Sequence, residues 1–118
     1  INTADSRPEP DAYVARGDRK TYAARRPAPA DLGLVVEGAD SSLAMDRVHK
    51  ARVYARESIP VYWIVNLPER RVEVYTDPTG PADAPQYRAV RHFPAGTAVP
   101  VELDGRAVGT IPVDDLLP

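Results

Sequence analysis

The period of apolar residues changes along this chain, and the changes mark its elements. Leu32-Gly33-Leu34-Val35-Val36 is a near-continuous apolar run that ends at Glu37. A strand without polar alternation is one covered on both faces, so 31–37 is expected to be a central strand. Asp40-Ser41-Ser42 then offers side chains that cap a helix N-terminus. Ala44, Val48, Ala51 and Ala55 recur at helical spacing through 43–57, which predicts one apolar stripe. Small alanines would let that helix sit close on a sheet, and Pro60 ends it. Val61-Tyr62-Trp63-Ile64-Val65 is the strongest strand in the chain. After the turn 67–70, residues 71–76 alternate as its hairpin partner. Tyr62 and Trp63 must face opposite sides of the sheet.

The flanks are weaker. Residues 1–10 read as an extended lead-in, 11–16 as a short strand, 17–20 as a turn and 22–30 as a loop broken by Pro27 and Pro29. A Pro/Asp/Gly loop fills 77–85. Residues 87–93 and 99–103 read as edge strands, and 111–117 as a short terminal element docked on the body. The order strand, strand, helix, strand, strand favours a parallel pair joined by a right-handed crossover, with the hairpin adding antiparallel pairing. The sequence therefore predicts a mixed α/β sheet in one domain spanning 1–118.

Composition narrows the classes. The 118 residues suffice for one core. A net charge of −2 is not that of a strongly basic nucleic-acid binder, so any such contact must come from local patches or a dimer groove. The absence of cysteine excludes disulfides and thiolate metal sites, and His49 and His92 form no zinc pattern. No apolar run approaches the ~20 residues that cross a bilayer. No signal peptide is visible and the chain does not begin with Met, so a cytoplasmic protein lacking its natural N-terminus is expected.

Three charged residues stand where apolar ones are expected: Asp11, Glu37 and Lys50. Carboxylates at the ends of buried strands are unfavourable unless they meet a cation or a donor. Lys50 shares a helix face with Leu43, Arg47 and Tyr54, next to the alanine stripe. Two carboxylates and a lysine are the minimum set for metal-assisted phosphodiester hydrolysis. Mg²⁺ takes hard oxygen ligands, which Asp11, Glu37 and the Gly38 carbonyl can supply. A lysine beside the attacking water would orient it and stabilise developing charge. Blander readings stand beside these: a turn carboxylate at Asp11, an arginine-paired acid at Glu37, and an i,i+4 pair between Asp46 and Lys50. Glu9 reads as an exposed acid in a proline loop. Arg16, Arg19, Lys20, Arg25 and Arg26 make the first third locally basic.

Taken together, Glu9-Pro10-Asp11, Leu34-Val35-Val36-Glu37, Asp40-Ser41-Ser42, Asp46 with Lys50 and Tyr54, and Tyr62-Trp63-Ile64-Val65 resemble the Uma2 family (also called DUF820) in order and spacing. The resemblance covers most of 8–76, and the tail near 113–117 also fits. It implies the PD-(D/E)XK nuclease superfamily, with Asp11 as the motif aspartate and Glu37 as the motif glutamate. The usual lysine position, two after the glutamate, is Ala39 here, and Lys50 on the following helix takes its place. Asn66 stands where the family often has aspartate. The superfamily core begins with a helix and a strand before the motif aspartate, and only ten residues precede Asp11.

The resemblance thus implies a restriction-endonuclease-like mixed β-sheet with a flanking helix, N-terminally incomplete. It implies an endonuclease acting on DNA with Mg²⁺ or Mn²⁺ held by Asp11 and Glu37 and assisted by Lys50, to which ligand chemistry adds the Gly38 carbonyl. Exposed edge strands and a missing covering layer point to a homodimer. The competing expectation is a non-catalytic binding or assembly module that keeps the fold.

Overall fold

The computed structural model describes residues 11–17, 27–40 and 43–118, the side chains of 43–47 excepted. Its elements are β1 (Ala12–Ala15), a 3₁₀ turn (Pro29–Asp31), β2 (Leu32–Ala39), α1 (Leu43–Arg56), β3 (Val61–Asn66), β4 (Arg71–Pro78), β5 (Tyr87–Pro94), β6 (Ala98–Leu103), β7 (Arg106–Pro112) and a 3₁₀ turn (Val113–Leu116). Strands β1 to β5 form one sheet in chain order, and β6 and β7 form a separate pair. β2 and β3 are parallel around α1, as the strand–helix–strand pattern predicts. The other pairs are antiparallel, including the expected β3–β4 hairpin.

The two faces of the central strands build two cores. Leu32, Val35, Tyr62 and Ile64 pack beneath α1 with Val53, Tyr54 and Ile59. Leu34, Trp63, Val65, Val72 and Val74 pack on the other face against Val99, Val113 and Leu117. Tyr62 and Trp63 divide between the faces as alternation requires, and both are buried. The sheet is therefore covered by the helix on one side and by the β6–β7 pair with the chain's last turn on the other. That double covering explains why β2 and β3 read as unbroken apolar runs.

Three expectations are corrected. Residues 99–103 are not an edge strand of the main sheet. They pair with β7, which opens what was expected to be only a short terminal element at 111–117. The two-residue connection Asp104-Gly105 has φ of 51° and 79°, the positive values of a primed hairpin turn, which Asp-Gly adopts readily. Second, β2 runs to Ala39 rather than stopping at Glu37, because β3 continues to Asn66 and pairs with it. Third, Val48 does not belong to the buried stripe of α1. It is 55% exposed, while Val53, Tyr54 and Ala55 are buried. Ser41, Ser42 and the side chain of Ala44 lie outside the described residues.

The end of α1 is set by local hydrogen bonds. Ser58 N donates to Ala55 O and Ile59 N to Tyr54 O, with Ser58 at φ 60°. This is a Schellman closure, and the apolar contact that accompanies it joins Ile59 to Tyr54 in the helix-side core. Pro60 follows and prevents further helix. The closure fixes the second half of α1, from which the Lys50 and Tyr54 side chains reach β2.

Candidate active site

Glu37 lies inside β2, opposite Ile64 of β3. Alternation points its side chain to the helix face, alongside Val35 and Ala39. Only 2% of the residue is exposed. Lys50 and Tyr54, four apart on one face of α1, both reach it. Lys50 Nζ donates to Glu37 Oε2 at 2.8 Å, and Tyr54 OH donates to Oε1 at 2.8 Å. Each oxygen of the carboxylate therefore has its own donor. Such compensation lets a charged group sit in an otherwise apolar layer.

Asp11 arrives from the neighbouring strand. β1 runs antiparallel to β2 with Ala12 opposite Val36, so the residue before Ala12 stands next to Glu37. Asp11 Oδ2 accepts a 2.6 Å hydrogen bond from Gly38 N. A Cβ on Gly38 would lie 3.3 Å from that same oxygen, so the glycine permits a close approach that a larger residue would crowd. Asp11 is exposed, whereas Glu37 is buried and the Lys50 side chain is 25% exposed. The group thus opens to solvent on the Asp11 side and closes against α1 on the other.

Of the residues singled out from sequence, Lys50 meets Glu37, and Asp11 meets the backbone of Gly38, the residue after Glu37. The side chain of Asp46, the competing partner for Lys50, lies outside the described residues, as do Glu9, Arg19, Lys20, Arg25 and Arg26. Tyr54 was placed on the correct helix row from sequence but given no role. Its hydroxyl is held protonated well above the usual tyrosine range, first by burial and then by its hydrogen bond to Glu37. The protonated hydroxyl is the donor from which Glu37 Oε1 accepts.

A second buried carboxylate escaped the sequence reading. Glu73 on β4 also stands opposite Ile64, so it shares the sheet face of Glu37 one strand further on. It is fully buried. Oε1 accepts from Tyr75 OH at 2.7 Å, and Oε2 from Asn66 Nδ2 at 2.9 Å and Arg71 Nη2 at 3.1 Å. The signal was present in Arg71-Val72-Glu73-Val74-Tyr75, whose alternation puts three polar residues on one face of a strand adjoining the most apolar one. Asn66, where the family often has aspartate, serves this network rather than the Asp11–Glu37 group.

Other charges are accounted for locally. Arg16 pairs with Asp104 at 2.7 Å, which holds that carboxyl below the usual carboxylate range. His49 and His92 are exposed. Among the described residues, no three His, Cys, Asp or Glu side chains cluster as a metal cage, and no helix is long and apolar enough to cross a membrane.

A mixed α/β sheet of five strands with a helix on one face and a two-stranded pair on the other is consistent with a restriction-endonuclease-like fold. The chain belongs to the Uma2 family, whose model carries the description "Putative restriction endonuclease" and matches residues 1–110. No match was found among curated proteins or solved structures.

Proposed function

We propose that this chain is a divalent-metal-dependent endonuclease that hydrolyses DNA phosphodiester bonds. The observation that carries the reading is that Lys50 donates to Glu37 while Asp11 accepts from Gly38, the next residue along β2. These residues come from the start of β1, from β2 and from α1, and no local sequence constraint requires them to lie at one end of the sheet. Family membership supports the same class.

The donor set suits a hydrated Mg²⁺ or Mn²⁺, which needs one or two carboxylates and keeps several waters. Asp11 Oδ2 is taken by Gly38, and among the described residues Oδ1 accepts no hydrogen bond. Glu37 presents Oε2 on the Lys50 side, with Oε1 anchored by Tyr54. A strand residue's N–H and C=O point to the same side, so the Gly38 carbonyl faces the Asp11 edge and can add a third oxygen. When bound, the ion would polarise the phosphoryl oxygen and acidify a water. Lys50 would hold that water in line and stabilise charge developing on the phosphate. Tyr54 would keep the Glu37 carboxylate from rotating, and burial would strengthen each of these interactions.

The test is calorimetric titration of Mn²⁺ into the parent and into Glu37→Gln, followed by Mg²⁺-dependent cleavage of plasmid DNA by the parent, Glu37→Gln and Lys50→Ala. Binding lost in Glu37→Gln and cleavage lost in both variants is the expected result. Undiminished cleavage by both would sink the assignment. The closure of Lys50 on Glu37 also suits a binding module, in which the pair is simply a compensated charge. That reading requires no Mn²⁺ binding by the parent.

A further inference from the structure

The buried carboxylate Glu73 has no place in the proposed chemistry, yet three polar side chains, Asn66, Arg71 and Tyr75, converge on it. The network continues outward from Asn66 and Arg71. Asn66 Oδ1 accepts from Glu69 N at 3.1 Å, and Arg71 Nη1 reaches Glu69 Oε2 at 2.7 Å. Leu67 N donates to Ala39 O, and Ala95 N to Arg70 O, each at 3.0 Å. The turn 67–70 between β3 and β4 is therefore braced from below by buried polar groups, from one side by β2 and from the other by the end of β5.

At the end of this turn stands Arg70, with φ of 52°. That left-handed conformation is unfavourable for a long side chain and suits Gly or Asn. It closes the turn, with Arg70 N donating to Leu67 O at 3.3 Å, and the bracing fixes where the turn presents this residue. Arg70 is exposed, and its side chain makes no hydrogen bond or ion pair among the described residues. Arg16, Arg71, Arg88 and Lys50 each meet an acid, Arg91 lies over the Phe93 ring on β5, and Arg52 is exposed on α1. Arg106 follows the Asp104-Gly105 turn at the other end of the sheet, where Asp104 meets Arg16.

Location gives the partner. Ala39 stands opposite Asn66, and Asn66 opposite Arg71. Two inter-strand steps put the Arg70 turn about 10 Å from the end of β2. It lies at the same sheet end as Asp11 and Gly38. A DNA strand carries a phosphate every ~3.4 Å along the helix axis, so a strand cut at Glu37 would pass the turn within about three nucleotides.

We propose that Arg70, presented on this braced turn, contacts the DNA backbone beside the scissile phosphate. The proposal rests on the nuclease reading. It is tested by fluorescence anisotropy of a labelled 20-base-pair duplex with EDTA present, over a salt series, for the parent, Arg70→Gly and Arg70→Lys. Glycine relieves the left-handed strain, so Arg70→Gly melts at or above the parent temperature and binds Mn²⁺ as the parent does. Its DNA affinity is expected to fall about 3- to 10-fold, and the slope of log affinity against log salt to flatten by about one, with Arg70→Lys retaining most of both. Parent-like affinity and slope in Arg70→Gly would overturn the contact alone. Absence of duplex binding by the parent would overturn the nuclease reading and the contact with it.

Discussion

Tyr54 and Lys50 divide the two oxygens of Glu37 between a neutral donor and a cation, and this division makes the site testable residue by residue. Removing the hydroxyl in Tyr54→Phe leaves Oε1 buried without its donor. The expected loss is about 1–2 kcal/mol of stability, read by chemical denaturation, together with weaker Mn²⁺ binding as the carboxylate gains freedom to rotate. Lys50→Met should behave differently. A metal ion and the ammonium compete for Oε2, so this variant is expected to bind Mn²⁺ at least as tightly as the parent while losing cleavage. Weaker Mn²⁺ binding would mean that the lysine supports the carboxylate geometry rather than competing for it. The contact of Lys50 with Glu37 was legible in sequence because Glu37 ends an apolar run and Lys50 lies on the helix row that adjoins it. The role of Tyr54 was not, because a tyrosine beneath a helix is ordinarily core, and only the partner of its hydroxyl distinguishes it.

Among the elements, α1 depends on its Schellman closure to hold Lys50 and Tyr54 in place. Ser58 occupies the left-handed position where glycine is usual. Ser58→Gly is expected to raise stability by about 0.5–1 kcal/mol through relief of that conformation, as measured by the denaturation midpoint. Its Oγ lies 3.0 Å from the Cβ position of Gly80, so trimming it creates no clash. The helix and central strands were legible because each carries a strong periodic pattern and a stop signal such as Pro60. The β6–β7 pair was missed although Asp104-Gly105 is a strong short-range hairpin signal. Val108 and its neighbours on β7 are largely exposed, so the apolar alternation that flags a strand is weak there. Val48 was misplaced for a related reason. Helical spacing defines a stripe but does not say which of two adjoining stripes meets the sheet.

For the molecule as a whole, the helix-side core contains four tyrosines in contact: Tyr54, Tyr62, Tyr75 and Tyr87. Burial holds the Tyr54 and Tyr87 hydroxyls above the usual tyrosine range. Folded-state values raised above the unfolded value of ~10 mean that their contribution is complete below about pH 10 and is lost as pH rises beyond it. The melting temperature should therefore fall above about pH 10, and fall less steeply in Tyr54→Phe. A decline of equal slope in both proteins would remove Tyr54 from the account.

What the sequence by itself determined is whatever depends on short-range periodicity: the parallel strand–helix–strand unit, the hairpin after it, and the residues out of place within them. What the tertiary structure alone decided is which side chains face one another across strands. Glu37 and Glu73 share a row only because Ile64 stands between them, and Asp11 meets Gly38 only through the β1–β2 register. Pairing registers join segments far apart in the chain. They are set by the summed packing of two whole faces, which no local pattern records.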